Sequence, residues 1–198
     1  MRKPAEEAAR TRARIVETAA GKFRQDGVVA TGLNGLMNAA GLTHGGFYKH
    51  FDSKEQLVAE ACAYIARTTA SAMVQDASAA PVDERLALFV GAYLSRAHRD
   101  HPGTGCGLAA LGPEIGRMPQ AARAGAAEAF NAFTDALVTL DPRLRGAEGG
   151  GRARAAVATM IGAMVAARAV GDPELSTSIL KDSCASVLAE LGRPGADP

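Results

Sequence analysis

Tryptophan is missing from this 198-residue chain, and aromatic residues of every kind make up only 5% of it. Runs in which β-branched and polar residues alternate are missing too, so nothing predicts a half-buried sheet. No stretch is apolar enough to span a bilayer. The N-terminal MRKPAEEAARTRARIVETAA carries charge but lacks an apolar run of signal-peptide length, so the expectation is a cytoplasmic protein with no membrane partner. Cysteine is scarce: Cys62, Cys106 and Cys184 are odd in number and widely spaced, with no C-x-x-C pair. That argues against a disulfide framework or a zinc ribbon and leaves three free thiols. No cofactor is called for.

Alanine is the commonest residue, and leucine, arginine and glutamate are well represented, which points to an all-α chain. The net charge of +1 hides a division: residues 1–54 hold nine Lys/Arg against five Asp/Glu, and the rest holds thirteen against sixteen. A head of +4 and a body of −3 suit a polyanion at one end.

About nine helices are predicted. Ile15, Ala19 and Phe23 at four-residue spacing mark the first, which Gly27 stops. Thr31 is placed to cap a short second helix carrying Leu33, Leu36, Met37 and Ala40, and Gly41 ends it. After a three-residue turn, Thr43 is placed to cap a very short third helix reaching about His50, with Phe47 facing the core. Ser53-Lys54-Glu55-Gln56 reads as a capping box opening a fourth, followed by Leu57, Val58, Ala61 and Ile65. A fifth helix carries Val82, Leu86, Phe89, Val90, Tyr93 and Leu94 and breaks at 101–105. A short sixth spans about 106–116 and a seventh carries Phe130, Phe133, Leu137 and Leu140. A glycine-rich loop at 146–151 precedes the eighth, roughly 152–170. Asp172-Pro173 launches the last helix. Residues 193–198, RPGADP, read as a frayed tail.

Two helices joined by a glycine-led three-residue turn, the second very short, form a helix-turn-helix pattern, which sets the second helix in the major groove of DNA. The run Ala40-Gly41-Leu42-Thr43, then Gly46-Phe47-Tyr48-Lys49-His50-Phe51, then Ser53-Lys54-Glu55, resembles the DNA-binding signature of the TetR family of regulators, over roughly residues 10–60. The resemblance implies a helix-turn-helix DNA-binding domain of three helices at 1–52 and a helical effector-sensing and dimerisation domain at 53–198. It implies a homodimer, double-stranded operator DNA as partner, and a small-molecule effector, with repression the expected action and no catalysis. Tyr48 and Lys54 are then expected to hold phosphates, with Thr31 and Thr43 adding contacts at helix starts. His44, Gly45, Gly46, Lys49 and His50 occupy the surface expected to face the bases, the two glycines allowing close backbone approach. Gly32 and Gly35 are expected to weaken the second helix by roughly 1 kcal/mol each.

Phe89, Tyr93, Met118, Phe130, Phe133, Met160 and Met164 are the candidates for an apolar effector cavity, set against their reading as plain core. Cys106 supports an alternative, since Gly105-Cys106-Gly107 places a thiol at a helix start where the dipole lowers its pKa, suiting an oxidant or electrophile sensor. Metal sensing through His98, His101 and Cys106 lacks a fourth ligand, so no metal is assigned. A cysteine enzyme using Cys106 with His98 or His101 lacks an oxyanion site and an orienting carboxylate.

Overall fold

The computed structural model describes residues 2–192, with side chains from residue 5 onward; the expected frayed tail at 193–198 lies outside the described residues. Among these residues the chain is all-helical, with nine α-helices and three short 3-10 turns: α1 (Arg2–Asp26), α2 (Leu33–Ala39), a 3-10 turn (His44–Lys49), α3 (Lys54–Ser78), α4 (Arg85–Tyr93), α5 (Arg96–Asp100), a 3-10 turn (Pro102–Thr104), α6 (Gly107–Ile115), α7 (Gln120–Leu140), a 3-10 turn (Pro142–Leu144), α8 (Gly146–Ala169) and α9 (Pro173–Leu191).

Two hydrophobic clusters organise these helices. One gathers Ile15, Phe23, Leu36, Met37, Phe47 and Phe51 around the first half of α3, together with Leu111 and Ile115 from α6 and Ala122 from α7. The other packs Phe89, Tyr93, Phe133, Leu137, Met160 and Met164 with residues of α8 and α9. Helix α3 contributes to both. It packs along α7, and the approach is close because Gly125 has no side chain: a Cβ there would lie 2.9 Å from Cys62 Cβ and 3.2 Å from the Ala63 nitrogen.

Several helix ends follow the local chemistry of the sequence. Ser53 Oγ accepts the Gln56 amide hydrogen at 3.2 Å. Gln56 Oε1 reaches back to the Asp52 amide at 2.8 Å, one residue beyond the partner of a standard capping box. Asp172 Oδ1 accepts from the amides of Glu174 and Leu175, with Pro173 in the first turn of α9.

Other expectations are corrected. The residues at 146–151 are not a loop but the opening turns of α8. A Cβ at Gly149 would lie 2.5 Å from the Leu144 carbonyl carbon, so glycine here serves close packing rather than chain freedom. The expected fifth helix is two: α4 ends at Tyr93, and Ser95 Oγ accepts the His98 amide to start α5. Val82 lies before α4 and is 61% exposed instead of packed. Gly32 sits at the extended N-cap of α2, where glycine is tolerated, so only Gly35 weakens that helix.

Candidate nucleic-acid interface

The turn between α2 and the His44–Lys49 segment is fixed by backbone chemistry. Gly41 has φ +71°, a left-handed conformation that glycine adopts without strain. The Leu42 amide donates to the Met37 carbonyl and the Gly41 amide to the Asn38 carbonyl, both at 2.9 Å, closing α2 with a Schellman motif. The chain then enters a single 3-10 segment where a short helix was expected.

That segment stands on Phe47, which is fully buried and stacks on Phe51 with ring centroids 5.5 Å apart. The Arg12 guanidinium lies 4.2 Å over the other aromatic partner, Phe51, while pairing with Glu60 through two hydrogen bonds. With its base packed, the segment turns Thr43, His44, Gly45, Tyr48 and Lys49 outward, with Gly46 and His50 half-buried. Tyr48 is 63% exposed and sits edge-on to both Phe47 and His44. Nothing lies within 4 Å of a Cβ built on Gly45. The fold therefore asks for no glycine there, and its small size is available to an approaching ligand. Thr43 flanks the segment as its N-cap, but its side chain makes no cap bond.

Two expected phosphate contacts are spent on the protein itself. Thr31 does not cap α2; it is buried and its hydroxyl donates to the Gly27 carbonyl at 2.6 Å. Lys54 Nζ donates to the carbonyls of Val28 and Thr31 at 2.8 and 2.7 Å, leaving one of its three hydrogens for anything else. From the opposite side, Glu114 Oε2 on α6 accepts the amide hydrogens of Val28 and Val29 at 2.9 and 3.2 Å. The loop between α1 and α2 is thus held by a cation from α3 and an anion from α6. Glu114 was not foreseen, because a lone glutamate inside a short helix gives no sequence signal of its partner.

Residues 15–61 match the model of bacterial regulatory proteins, tetR family. The likeness covers the helix-turn-helix segment together with parts of the helices that flank it. Over 54 residues it is 46% identical to a probable acrEF/envCD operon repressor of Escherichia coli, a match spanning 27% of this chain and 24% of that protein. Over 58 residues it is 43% identical to the regulator TtgR of Pseudomonas putida, spanning 29% and 28%. The chain thus spans about a quarter of the length of these curated relatives. Its whole fold is similar to a TetR-family regulator from Cytophaga hutchinsonii, with TM-score 0.73 and 24% identity over 92% of this chain and 96% of that one. It is similar also to reduced Escherichia coli NemR, with TM-score 0.73 and 20% identity over 94% and 99%. The helix-turn-helix segment is therefore similar in sequence to the N-terminal part of tetR-family regulatory proteins, and the whole chain is similar to them in fold.

The residues named for an effector cavity divide. Phe89, Tyr93, Cys106, Phe133, Met160 and Met164 are at most 2% exposed and share one cluster, with Phe130 half-buried beside it. Tyr93 and Phe89 meet Phe133 edge-on at 5.4 and 6.3 Å. Met118 does not join them. It packs on the other cluster and lines a groove of about 600 Å³ with Val28, Val29 and Lys54, because the α6–α7 connection faces the loop between α1 and α2. Cys106 is completely buried at the N-cap of α6. Burial pushes its thiol above the ordinary value, outweighing the hydrogen-bonding groups around it; the expected lowering by the helix dipole does not prevail. Both nitrogens of His98 are engaged: Nδ1 meets the Tyr93 carbonyl at 2.7 Å and Nε2 accepts the Cys106 amide at 2.9 Å. Among the described residues no group of three or more His, Cys, Asp or Glu side chains could hold a metal ion, and no helix is long and apolar enough to cross a membrane.

Proposed function

We propose that this chain is a dimeric transcriptional repressor, released from operator DNA when a small and largely apolar effector enters the body. The observation that carries the reading is the His44–Lys49 segment, which turns exposed Tyr48, His44 and Lys49 outward from a fully packed Phe47. In this reading Tyr48 and Thr43 hold phosphates and set register, while His44, Lys49, His50 and the Gly45–Gly46 backbone face base edges. Lys54 acts mainly by holding the loop and Thr31 by packing beneath it.

Helices α8 and α9 are the dimer surface of this reading. Ala155, Ala158, Thr159, Gly162 and Val165 form an exposed stripe of mostly small residues on α8, and Leu175 is exposed on α9. A two-fold contact there would place two reading segments on half-sites one DNA turn, or a multiple of it, apart. Helix α3 starts beside the reading segment and ends in the body, so displacement of its far end alters that spacing.

The test is binding to a duplex selected by the protein from a random pool, compared with an unselected duplex. Tyr48→Ala weakens binding to both, and His44→Ala reduces the preference between them. Failure of the wild-type protein to select any sequence, or sedimentation as a monomer at micromolar concentration, sinks the reading. Release by thiol oxidation is the weaker alternative, since a fully buried thiol with a raised pKa is a poor nucleophile.

A further inference from the structure

The seam where α1 meets the body holds two half-buried arginines. Arg24, on α1, donates through Nη1 to the Gly105 carbonyl at 3.0 Å and to Thr69 Oγ1 at 3.3 Å. Arg168, on α8, donates to the carbonyls of His98 at 2.7 Å and Arg99 at 3.1 Å. Gly105 lies between them. A Cβ there would fall 2.4 Å from the His98 ring and 3.4 Å from Arg168 Nη2. Neither arginine makes a salt bridge among the described residues, the nearby Asp100 being paired with Arg99 at 2.7 Å.

The unmatched groups at this seam share one character. Arg24 Nε and Arg168 Nη1 are buried without a hydrogen-bond partner, and both carry a hydrogen to donate. His98 supplies no acceptor, since its free ring nitrogen already takes the Cys106 amide. What the seam lacks is an acceptor, and next to two guanidinium groups the acceptor that fits is an anion.

A groove opens beside Arg24, with a volume of about 670 Å³, within the range of small-molecule sites. Arg24, Gly105 and His98 line it at the seam, and Tyr64, Met73 and Ala92 give it apolar wall. Glu17 stands on the same helix seven residues before Arg24, about 10 Å along the axis, so its carboxylate directs an anionic group toward the arginine. We infer that this groove binds a small amphiphilic carboxylate, its anionic end on Arg24 at the Gly105 and His98 seam and its apolar part along α3 and α4. Arg24 is carried by α1, and among the described residues its hydrogen bonds to the body go to Gly105 and Thr69. A carboxylate that recruits its guanidinium competes with both bonds and loosens α1 from the body. Only this last step rests on the repressor reading; the binding site does not.

The experiment is calorimetric titration of the full chain, free of DNA, with octanoate and with 1-octanol as probes. Octanoate binds saturably and at least ten-fold more tightly than octanol. Arg24→Gln removes that difference, and Thr68→Trp, which fills the groove from an exposed position, weakens both probes. If Arg24→Gln does not fold, Thr68→Trp decides. Absence of octanoate binding, equal affinity for the two probes in the wild type, or unchanged octanoate binding in either folded variant overturns the inference. Loss of DNA selection with octanoate binding intact would instead strike only the repressor reading.

Discussion

The carboxylate of Glu114 accepts the amide hydrogen of Val28 at 2.9 Å, across 86 residues of sequence, and so joins α6 to the loop between α1 and α2. The same oxygen takes the Val29 amide, and Gly27 before it has φ +83° and no room for a Cβ, which would fall 2.7 Å from Glu114 Oε1. Glu114→Ala leaves the buried Val28 amide without its partner. The expected loss is about 1–3 kcal/mol, or roughly 2–4 °C in Tm per kcal/mol, read by thermal denaturation. DNA affinity should fall as well, although Glu114 lies on the body. A variant as stable as the wild type would show the contact to be dispensable.

Lys54 and Lys49 are separable by salt dependence. Removing a phosphate contact lowers the slope of log K against log[salt] by about 1. Lys49→Ala, which removes a cation facing base edges in the proposed reading, is expected to lower sequence preference and part of that slope with little effect on stability, since Lys49 is exposed. Lys54→Ala should change the slope less and the denaturant midpoint more, because hydrogen bonds from a charged group contribute roughly 1.5–3 kcal/mol. The reverse pattern would return Lys54 to a phosphate-binding role.

Gly125→Ala tests the contact between α3 and α7. The new methyl meets Cys62 Cβ and the Ala63 backbone, atoms that cannot swing aside, so overpacking by about 1–3 kcal/mol is expected. Gly45→Ala, with open space around the new methyl, should leave stability unchanged and impair DNA binding alone.

His98 gives stability a pH dependence. Burial lowers its pKa, helped by Arg168 and Arg24, against the opposing pull of the Tyr93 carbonyl. A group whose folded pKa is depressed contributes its full stability above the unfolded value, near pH 6.5. That contribution declines as pH falls toward the folded value, because protonation destroys the acceptor that receives the Cys106 amide. Denaturant unfolding should show the wild type weaker at pH 5.5 than at pH 7.5, and His98→Gln should narrow that gap. The carboxyls of Asp100 and Asp141, held low by Arg99 and Arg143, act only at more acid pH.

Most of the helix-turn-helix segment was legible in the sequence because its signals are local. Gly41 needs a left-handed turn, Phe47 falls on the apolar side, and Ser53 precedes a glutamine at capping distance. The last helix was legible for the same reason, through Asp172 and Pro173. Glycine misled at 146–151, since one residue type serves both chain freedom and close packing, and only the position of Leu144 tells which. Ser95 was hidden inside an apolar periodicity that runs through the break between α4 and α5. The clamps of Lys54, Glu114 and Arg24 join residues 23 to 86 positions apart, and no spacing rule reaches that far. Met118 was grouped with the wrong cluster because composition says nothing of which side a connection faces.

The shared core of α3 has a consequence for how the chain comes apart. Ile15, Phe23 and Phe47 are sealed partly by Leu57, Val58 and Ile65 of α3, and by Leu111, Ile115 and Ala122 beyond them. A fragment cut after residue 52 would leave those seals behind and present its interior to water. Limited proteolysis should therefore yield no persistent N-terminal piece of that length, and amide exchange in α1 should slow and quicken together with that in α6. Residues 1–52 are thus expected to fold only together with α3 and α6.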